Sequence, residues 1–432
     1  MKNTRLAEKN RYSEASGNTI PIAGGHAASA RVLLSVTPDE KELMDIIRMH
    51  GVVTKAELVS NTHHSRTKIN NSISSLLKKQ YILKAGAGDY TGGRRSVKFI
   101  MNGDLGLVAG VDIGATSIDI VLADLSGKVL ARTGEPGNVR EGPQFILERV
   151  CVLIEQMIRE SGEQADRLCS IGIGVPGPVD FKRGTLVSPP IMPGWDRFPI
   201  IPTIQSHFPS ANVVVDNDVN VMAIGEKFWG AGKDFENLIF IKIGTGIGAG
   251  IVCRGEIYRG TNGCAGDIGH ICVSKSGPIC LCGNAGCLEA MAAGPAIAEQ
   301  GRSAALEGKS QILLKLYETN GGRLRAEDVN RAAIEGDPVA IEIIRGSGQM
   351  IGDVLAGLVN FFNPGLIVIG GGVSNIGNIL LSSIRQTILK RSLPLATRDL
   401  RVVFSATGQG AGITGAMALA IDKGFFIEGV TA

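Results

Sequence analysis

No apolar run in this sequence reaches the roughly 18–20 residues that a membrane-spanning helix needs, so no membrane is expected among its partners. The first residues are charged and no apolar stretch follows them, so no export signal is read there. No cysteine precedes Cys151, although the chain has 8. Thiols confined to one part of an unexported chain fit metal binding in a reducing cytoplasm better than a disulfide framework. Residues 1–37 lack sustained periodicity and are expected to be a disordered tail. Glycine, by contrast, is plentiful, at 58 of 432 residues, which points to many tight turns where backbone can approach a ligand. With 44% hydrophobic and 20% charged residues the remainder should be globular, and its length allows two or three domains.

The cysteines concentrate around one stretch. Gly263-Cys264-Ala265-Gly266-Asp267-Ile268-Gly269-His270 is followed, nine residues later, by Cys280-Leu281-Cys282-Gly283-Asn284-Ala285-Gly286-Cys287-Leu288-Glu289. Thiolate and imidazole in fours suit tetrahedral zinc, and four protein ligands make a closed, structural site. Glycines between the cysteines let the chain turn sharply enough to bring the sulfurs together. Cys264 and Cys272 are close enough in sequence to compete as ligands. The bland alternative is that these cysteines are small buried hydrophobes. Asp267 and Glu289 flank the knot, so carboxylates would be held beside the metal.

Charge is uneven. Residues 1–100 hold 16 Lys and Arg against 8 Asp and Glu, while the remainder holds 28 against 33. A basic first segment on an acidic body suggests a nucleic-acid-binding module joined to something else, with a solvated basic tail as the alternative. Leu43, Ile46 and Ile47 mark a first helix from Pro38, ended by Gly51. Thr54 and Glu57 form a capping box for a second. Ile69, Ile73, Leu76 and Leu77 give the buried face of a third, whose other face carries Arg66, Thr67, Lys68, Asn70 and Asn71. Such groups reach phosphates and base edges. Tyr81-Ile82-Leu83, the turn Gly92-Gly93-Arg94-Arg95 and Ser96–Phe99 read as a two-stranded wing. Residues 38–102 are therefore expected to be a winged helix-turn-helix, with Arg66, Thr67, Lys68, Asn71, Arg94 and Arg95 on DNA. A small helical interaction module is the alternative.

Met101–Asp104 reads as a linker to the body. Leu107–Val111 is a strand that ends at Asp112-Ile113-Gly114-Ala115-Thr116-Ser117, and a second strand, Ile118–Ala123, follows. The same strand, glycine turn and strand recur at Leu238–Ile243 and Gly244-Thr245-Gly246-Ile247-Gly248-Ala249-Gly250. A third glycine turn, Gly370-Gly371-Gly372, follows Leu366–Ile369. Such turns can hold phosphate on backbone N–H groups. Val213-Val214-Val215-Asp216-Asn217-Asp218 ends a strand where a helix begins, a corner at which α/β proteins place ligands.

From Leu105 onward these pieces resemble the ROK family of repressors and sugar kinases, the zinc loop being the most specific of them. The resemblance implies an α/β, two-lobed body of the actin and sugar-kinase type (ribonuclease H-like), with lobes at 105–217 and 218–432 and a sugar in the cleft. It implies sugar contacts at Asn217, Asp218, His270 and Glu289, with Asp267 in place of the family's glutamate, and zinc on His270, Cys280, Cys282 and Cys287. In kinase members the aspartate matching Asp218 is the catalytic base. Their nucleotide contacts would fall at Asp112, Gly114, Thr116, Gly244, Thr245, Gly246 and Gly371, with ATP and Mg2+. The usual Gly-Gly-Thr-Lys of the first phosphate turn is here Gly114-Ala115-Thr116-Ser117, so a methyl intrudes and a lysine is missing. That departure weighs against ATP more than against sugar. The winged domain is similar to that of family repressors. The resemblance thus implies a cytoplasmic, sugar-responsive repressor of carbohydrate genes, bound to operator DNA as a homodimer or homotetramer. The alternative it leaves is an ATP-dependent sugar kinase carrying a DNA-binding domain.

Overall fold

The structure is a computed structural model and describes residues 34–87, 96–424 and 426–427. Capping chemistry sets the first three helices. At the start of helix Pro38–His50, the Thr37 hydroxyl accepts from the Glu40 N–H, and Glu40 accepts in return from the Thr37 N–H at 2.9 Å. Thr54 and Glu57 repeat the box at helix Lys55–Ser60, and Ser65 caps helix Arg66–Lys78. Each cap satisfies N–H groups that a first turn leaves unpaired. Leu43, Ile46, Ile47, Leu58, Ile69, Ile73 and Leu76 all turn inward, as their spacing requires. Strand Val53–Thr54 joins the hairpin Ile82–Ala87 and Val97–Met101 in one antiparallel sheet, so three helices and a wing are present. The wing tip with Arg94 and Arg95, and residues 1–33 of the expected tail, lie outside the described residues. The end of that tail is ordered structure: Leu34–Ser35 pairs in parallel with Phe426–Ile427, and Thr37 is a cap.

The expected linker is also different. Met101 closes the wing strand. The Asn102 side chain donates to the Gln80 carbonyl at 2.9 Å and accepts from the Asp104 N–H at 3.1 Å. The apolar core under the three helices then runs into the body, where Leu43, Ile47, Val108, Val121, Met417 and Ile421 share one cluster. A free tether would leave those faces in water. The winged domain is docked, not strung.

The body has two five-stranded sheets. The first runs Asn212–Asn217, Leu168–Val175, Leu107–Ile113, Ser117–Asp124, Val129–Pro136. The second runs Arg401–Phe404, Leu366–Gly370, Leu238–Ile243, Ile247–Cys253, Glu256–Tyr258. Counted along the chain, both have the order fifth, fourth, first, second, third. In both, the first three strands are antiparallel and the fourth and fifth run parallel to the first. The body is one topology used twice.

The helix after each fifth strand crosses to the other sheet. Helix Asp218–Trp229 leaves the first sheet and lies on the second, where Gly248 and Gly250 make room for Val219 and Ala223. Helix Ala411–Gly424 leaves the second and lies on the first, where a side chain at Gly172 would meet the Ala416 carbonyl at 2.2 Å. The two helices touch at Gly225 and Gly415. A single cut at 217/218 therefore assigns helix Asp218–Trp229 to the sheet it covers but leaves helix Ala411–Gly424 with the wrong one.

Candidate ligand cleft and metal cluster

Four donors come together as the spacing of the cysteines suggested. The ligand atoms of His270, Cys280, Cys282 and Cys287 lie within 4.8 Å of one another. Cys280 Sγ is 3.7 Å from His270 Nδ1, and Cys282 Sγ is 3.6 Å from Cys287 Sγ. Tetrahedral bonds of about 2.3 Å to sulfur would set such edges near 3.8 Å, so the residues fit a metal ion of that kind. The N–H of Asn284 pulls the Cys282 thiol down to about 7, toward the thiolate that ligates metals. Cys264 and Cys272 are outside the cluster, and both are exposed. The loop needs its glycines. A Cβ at Gly266 (φ +105°) would lie 1.8 Å from the Ala249 carbonyl, and one at Gly286 (φ +67°) 1.5 Å from that of Ser274.

His270 turns Nδ1 to Cys280, so Nδ1 is the nitrogen that would meet a metal held there, and Nε2 faces away. Asp267 opens the 3-10 turn Ile268–His270 and is exposed. Glu289 ties the cluster to the second glycine turn: one oxygen accepts from the Ile247 N–H at 3.0 Å, and the other is 4.0 Å from Cys280 Sγ. A Cβ at Gly246 would strike Glu289, and one at Gly371 (φ +86°) would strike the Ile243 carbonyl at 2.4 Å. Gly244, Gly246, Gly371 and Glu289 are therefore assembled around one strand end.

Across the cleft, Asp218 starts its helix nearly buried, at 4% exposure. Its Oδ2 is ion-paired with Lys242 Nζ. Asp112 stands beside the pair. Burial, with Asp218 and Asp119 adding to it, pushes the Asp112 carboxyl up to about 7 against the pull of Lys242. Burial draws the Lys242 ammonium down, but Asp218 and Asp112 outweigh it and raise its pKa above the ordinary lysine value. The first phosphate turn is tight, with the Gly114 N–H donating to Ser117, and Thr116 is exposed.

Asn217 is more committed than a free sugar ligand would be. Its Oδ1 accepts from the Val219 N–H at 3.0 Å, and its Nδ2 donates to the Gly177 carbonyl at 2.9 Å. The Asn220 N–H also donates to Oδ1, at 3.4 Å, so one amide hydrogen is left for a ligand. Two charged residues that the sequence reading passes over complete the site. Arg259 Nε donates to buried Asp216 at 2.8 Å and its guanidinium covers Phe181 at 3.7 Å, pinning the second sheet's edge loop to the strand that carries Asn217. Lys242 is the other. Its signal was one charged residue in an otherwise apolar strand, directly before a glycine turn.

On the winged domain Arg66, Thr67, Lys68 and Asn71 are all exposed on helix Arg66–Lys78. Lys68 is already paired with Asp39 of the first helix at 2.9 Å. Arg66, Thr67 and Asn71 stand exposed on the same helix.

Comparison with known proteins decides the family. The ROK family matches residues 108–423, most of the chain. The chain belongs to the ROK family. A putative xylose repressor of Caldicellulosiruptor sp. (strain Rt8B.4) is 30% identical over 380 residues, 88% of this chain and 94% of that protein. Among solved structures, a ROK family transcriptional regulator, a homologue of the E. coli MLC protein, shares 29% identity at a TM-score of 0.73 and spans 89% of this chain and 96% of its own. A ROK family glucokinase from Streptomyces griseus, in complex with glucose and AMPPNP, is 31% identical at a TM-score of 0.64. It covers 73% of this chain and 99% of its own. The ROK repressor and regulator thus extend over the winged domain as well as the body, and the ROK kinase matches a share no longer than the body. Among the described residues no helix is long and apolar enough to cross a membrane.

Proposed function

We propose that this chain is a sugar-responsive transcriptional repressor of carbohydrate-metabolism genes. The observation that carries this reading is the winged domain, docked on a sugar-kinase-like body through one continuous core. Arg66, Thr67 and Asn71 would read DNA from helix Arg66–Lys78, with Arg94 and Arg95 at the wing. Two copies would be needed for paired half-sites. Asp218 and Glu289 would accept hydrogen bonds from sugar hydroxyls, His270 would donate through Nε2, and Asn217 and Asp267 would complete the set. Zinc on His270, Cys280, Cys282 and Cys287 would supply a rigid anchor that fixes the His270 ring. A ligand held through its other ring nitrogen is thereby oriented for a second contact.

The helices that cross between lobes supply the route from sugar to DNA. Helix Ala411–Gly424 approaches Asp112 at Gly412 and carries Asp422 in its last turn, where it pairs with Lys41 of the first helix at 2.6 Å. Helix Asp218–Trp229 begins at the sugar site, and beyond it Lys233 donates to the Met49 carbonyl at 3.2 Å. Movement of the lobes would therefore shift the winged domain. Sugar changes DNA affinity only through its differential affinity for the two arrangements. A hundredfold change needs coupling of about 2.7 kcal/mol, the scale of two or three charge-assisted hydrogen bonds.

The kinase reading draws on the glucokinase likeness and on Asp218. Ala115, Ser117 and the Lys242 ion pair speak against it. The test selects a duplex from a random DNA library with the wild-type protein. It then measures binding to that duplex over a panel of pentoses and hexoses, with product analysis in ATP and Mg2+. One sugar should change DNA affinity about tenfold or more, with no sugar phosphate formed. Asp218→Asn should keep DNA binding and lose the response. Arg66→Ala should weaken binding and lower the salt slope by about one. Rapid phosphorylation by wild type, lost in Asp218→Asn, would promote the kinase.

A further inference from the structure

Lys242 has no place in the sugar or metal set above, yet it holds the centre of the cleft. It is the next-to-last residue of the first strand of its sheet, and Asp112 is the next-to-last residue of the first strand of the other. The duplicated topology brings these matching positions face to face. Two carboxylates, Asp112 and Asp218, then share one ammonium, and the contact is made to Asp218.

Phosphoryl transfer to a sugar makes a specific demand of an aspartate in this place. As the hydroxyl oxygen bonds phosphorus and the ADP oxygen departs with the bond electrons, the hydroxyl proton must pass to a base. Hydrogen bonding to a sugar demands less. The carboxylate need only stay ionised and accept. A cation in contact favours that ionised form. Were Asp218 to take a proton, Lys242, its side chain 26% exposed, would keep Asp112 alone, and a half-buried charge that loses its contact partner is destabilised.

We propose that Lys242 separates binding from catalysis in this cleft: its ion pair keeps Asp218 as a fixed acceptor for a sugar hydroxyl and withholds it from proton abstraction. Lys242 is a positioning residue, acting through Asp218. The proposal rests on the sugar-responsive reading above and deepens it, because it states why this site senses a sugar without consuming it.

The charged groups around Asp218 are few. Asp112 faces it from the first sheet, with Asp119 acting on Asp112, and Lys242 faces it from the second. The first turn of helix Ala411–Gly424, which approaches Asp112, is uncharged. Glu289 is turned to the Ile247 N–H. Without the ammonium, Asp112 and Asp218 confront each other, and two facing carboxylates favour holding a proton between them. A sugar hydroxyl that donates to Asp218 must displace that proton.

The experiment is calorimetry on the full chain with D-glucose, D-xylose, D-mannose and D-galactose at pH 6 and pH 8, for wild type, Lys242→Met and Lys242→Arg. Wild type and Lys242→Arg should bind one of the sugars with affinities that differ less than about threefold between the two pH values. Lys242→Met should lose about tenfold or more on going from pH 8 to pH 6, the signature of a competing proton. If Lys242→Met does not fold, Lys242→Gln, which donates without charge, is read in its place. A neutral variant with the wild-type affinity and the wild-type pH profile overturns the proposal and leaves the repressor reading standing. Wild-type phosphorylation of a sugar with ATP and Mg2+, lost in Lys242→Met, overturns it by making Lys242 a phosphate cation. Wild type binding none of the four sugars at either pH counts against the sugar reading itself, and the proposal goes with it.

Discussion

The two glycine turns that face the cleft end matching strands of matching sheets, yet they are built differently. Both close on themselves, the Gly114 N–H on the Ser117 carbonyl and the Gly244 N–H on the Gly246 carbonyl. The first, after Asp112, is met from outside by backbone, the Gly137 N–H on the Thr116 carbonyl at 3.1 Å and the Val139 N–H on the Ala115 carbonyl at 3.4 Å. It carries a methyl at Ala115 and no cation. The second, after Lys242, is braced by a carboxylate as well as by backbone. Glu289 bonds the Ile247 N–H, the Gly294 N–H bonds the Gly244 carbonyl, and Gly371 presses on Ile243. Duplication gave one backbone twice. The side chains then divided the work, with an uncharged turn and a proton-prone acid on one side, and a lysine and the loop of His270 and its three cysteines on the other. Equivalent places in a repeated fold need not carry equivalent chemistry, and sites are read from side chains and not from topology.

The comparison breaks most completely where the lobes are joined. Helix Asp218–Trp229 and helix Ala411–Gly424 meet so closely that a Cβ at Gly415 would lie 1.8 Å from the Val221 carbonyl. Backbone cannot yield as a side-chain tip can, so Gly415→Ala should cost about 3 kcal/mol or more. Gly357, on helix Pro338–Phe362, has nothing within 4 Å of its would-be Cβ. There Gly357→Ala should stabilise by about 0.5–1 kcal/mol, since the helix loses a flexible residue. Thermal melts of the two variants should move in opposite directions. Equal shifts would mean the helix contact is not tight.

The second break is confined to one lobe. Cys287→Ser removes a buried member of the donor set. Metal analysis should fall from about one ion per chain to well below half, from the four-ligand rule. Sugar affinity should drop about tenfold or more, since His270 and Glu289 lose their support. The first sheet should hold its fold, because no cluster residue packs on it. Cys272→Ser, outside the cluster, should change neither quantity. Wild-type protein purified without chelators but free of metal would overturn the assignment.

Much of this was legible in the chain. Thr54 and Glu57 announce a helix start by themselves, and Leu43, Ile46 and Ile47 announce the buried face of the helix before it, because capping and periodicity are local. The metal set was legible for the same reason: His270 and three cysteines fall within 18 residues. What was not legible depends on distant segments meeting. Asp39 takes Lys68 across two helices, so a residue expected on phosphate is engaged elsewhere. Asn217 spends most of its amide on a helix start and on Gly177. The crossing of helix Ala411–Gly424 onto the first sheet appears nowhere in its own residues. Gly110 and Gly172, which make room for it, lie roughly 240–300 positions away in the chain. Arg259 and Lys242 have partners 43 and 24 residues distant, and only the fold pairs them.

The smallest break is electrostatic and tests how one lysine serves two acids. Folding raises the Asp112 carboxyl from an ordinary 3.8 to about 7, chiefly by burial. A carboxyl raised on folding holds its proton in the native state after the unfolded chain has lost it. Its contribution to stability is therefore greatest below about pH 4 and is lost as pH rises through 7. At pH 8 a charge must be kept where burial disfavours it. Asp112→Asn replaces that acid with a neutral group of the same shape and leaves Lys242 its contact with Asp218. The variant should exceed wild type by about 2–4 kcal/mol at pH 8, the size of a shift of two to three units. Near pH 5, where native Asp112 is protonated but the unfolded carboxyl is still ionised, the advantage should shrink to about 1.5 kcal/mol. Urea unfolding at the two pH values reads the difference directly. A gain of the same size at both would mean that Asp112 is ionised throughout, with Lys242 bound as firmly to it as to Asp218. The division between an acid that keeps its proton and an acid held as an acceptor would then be absent from the cleft.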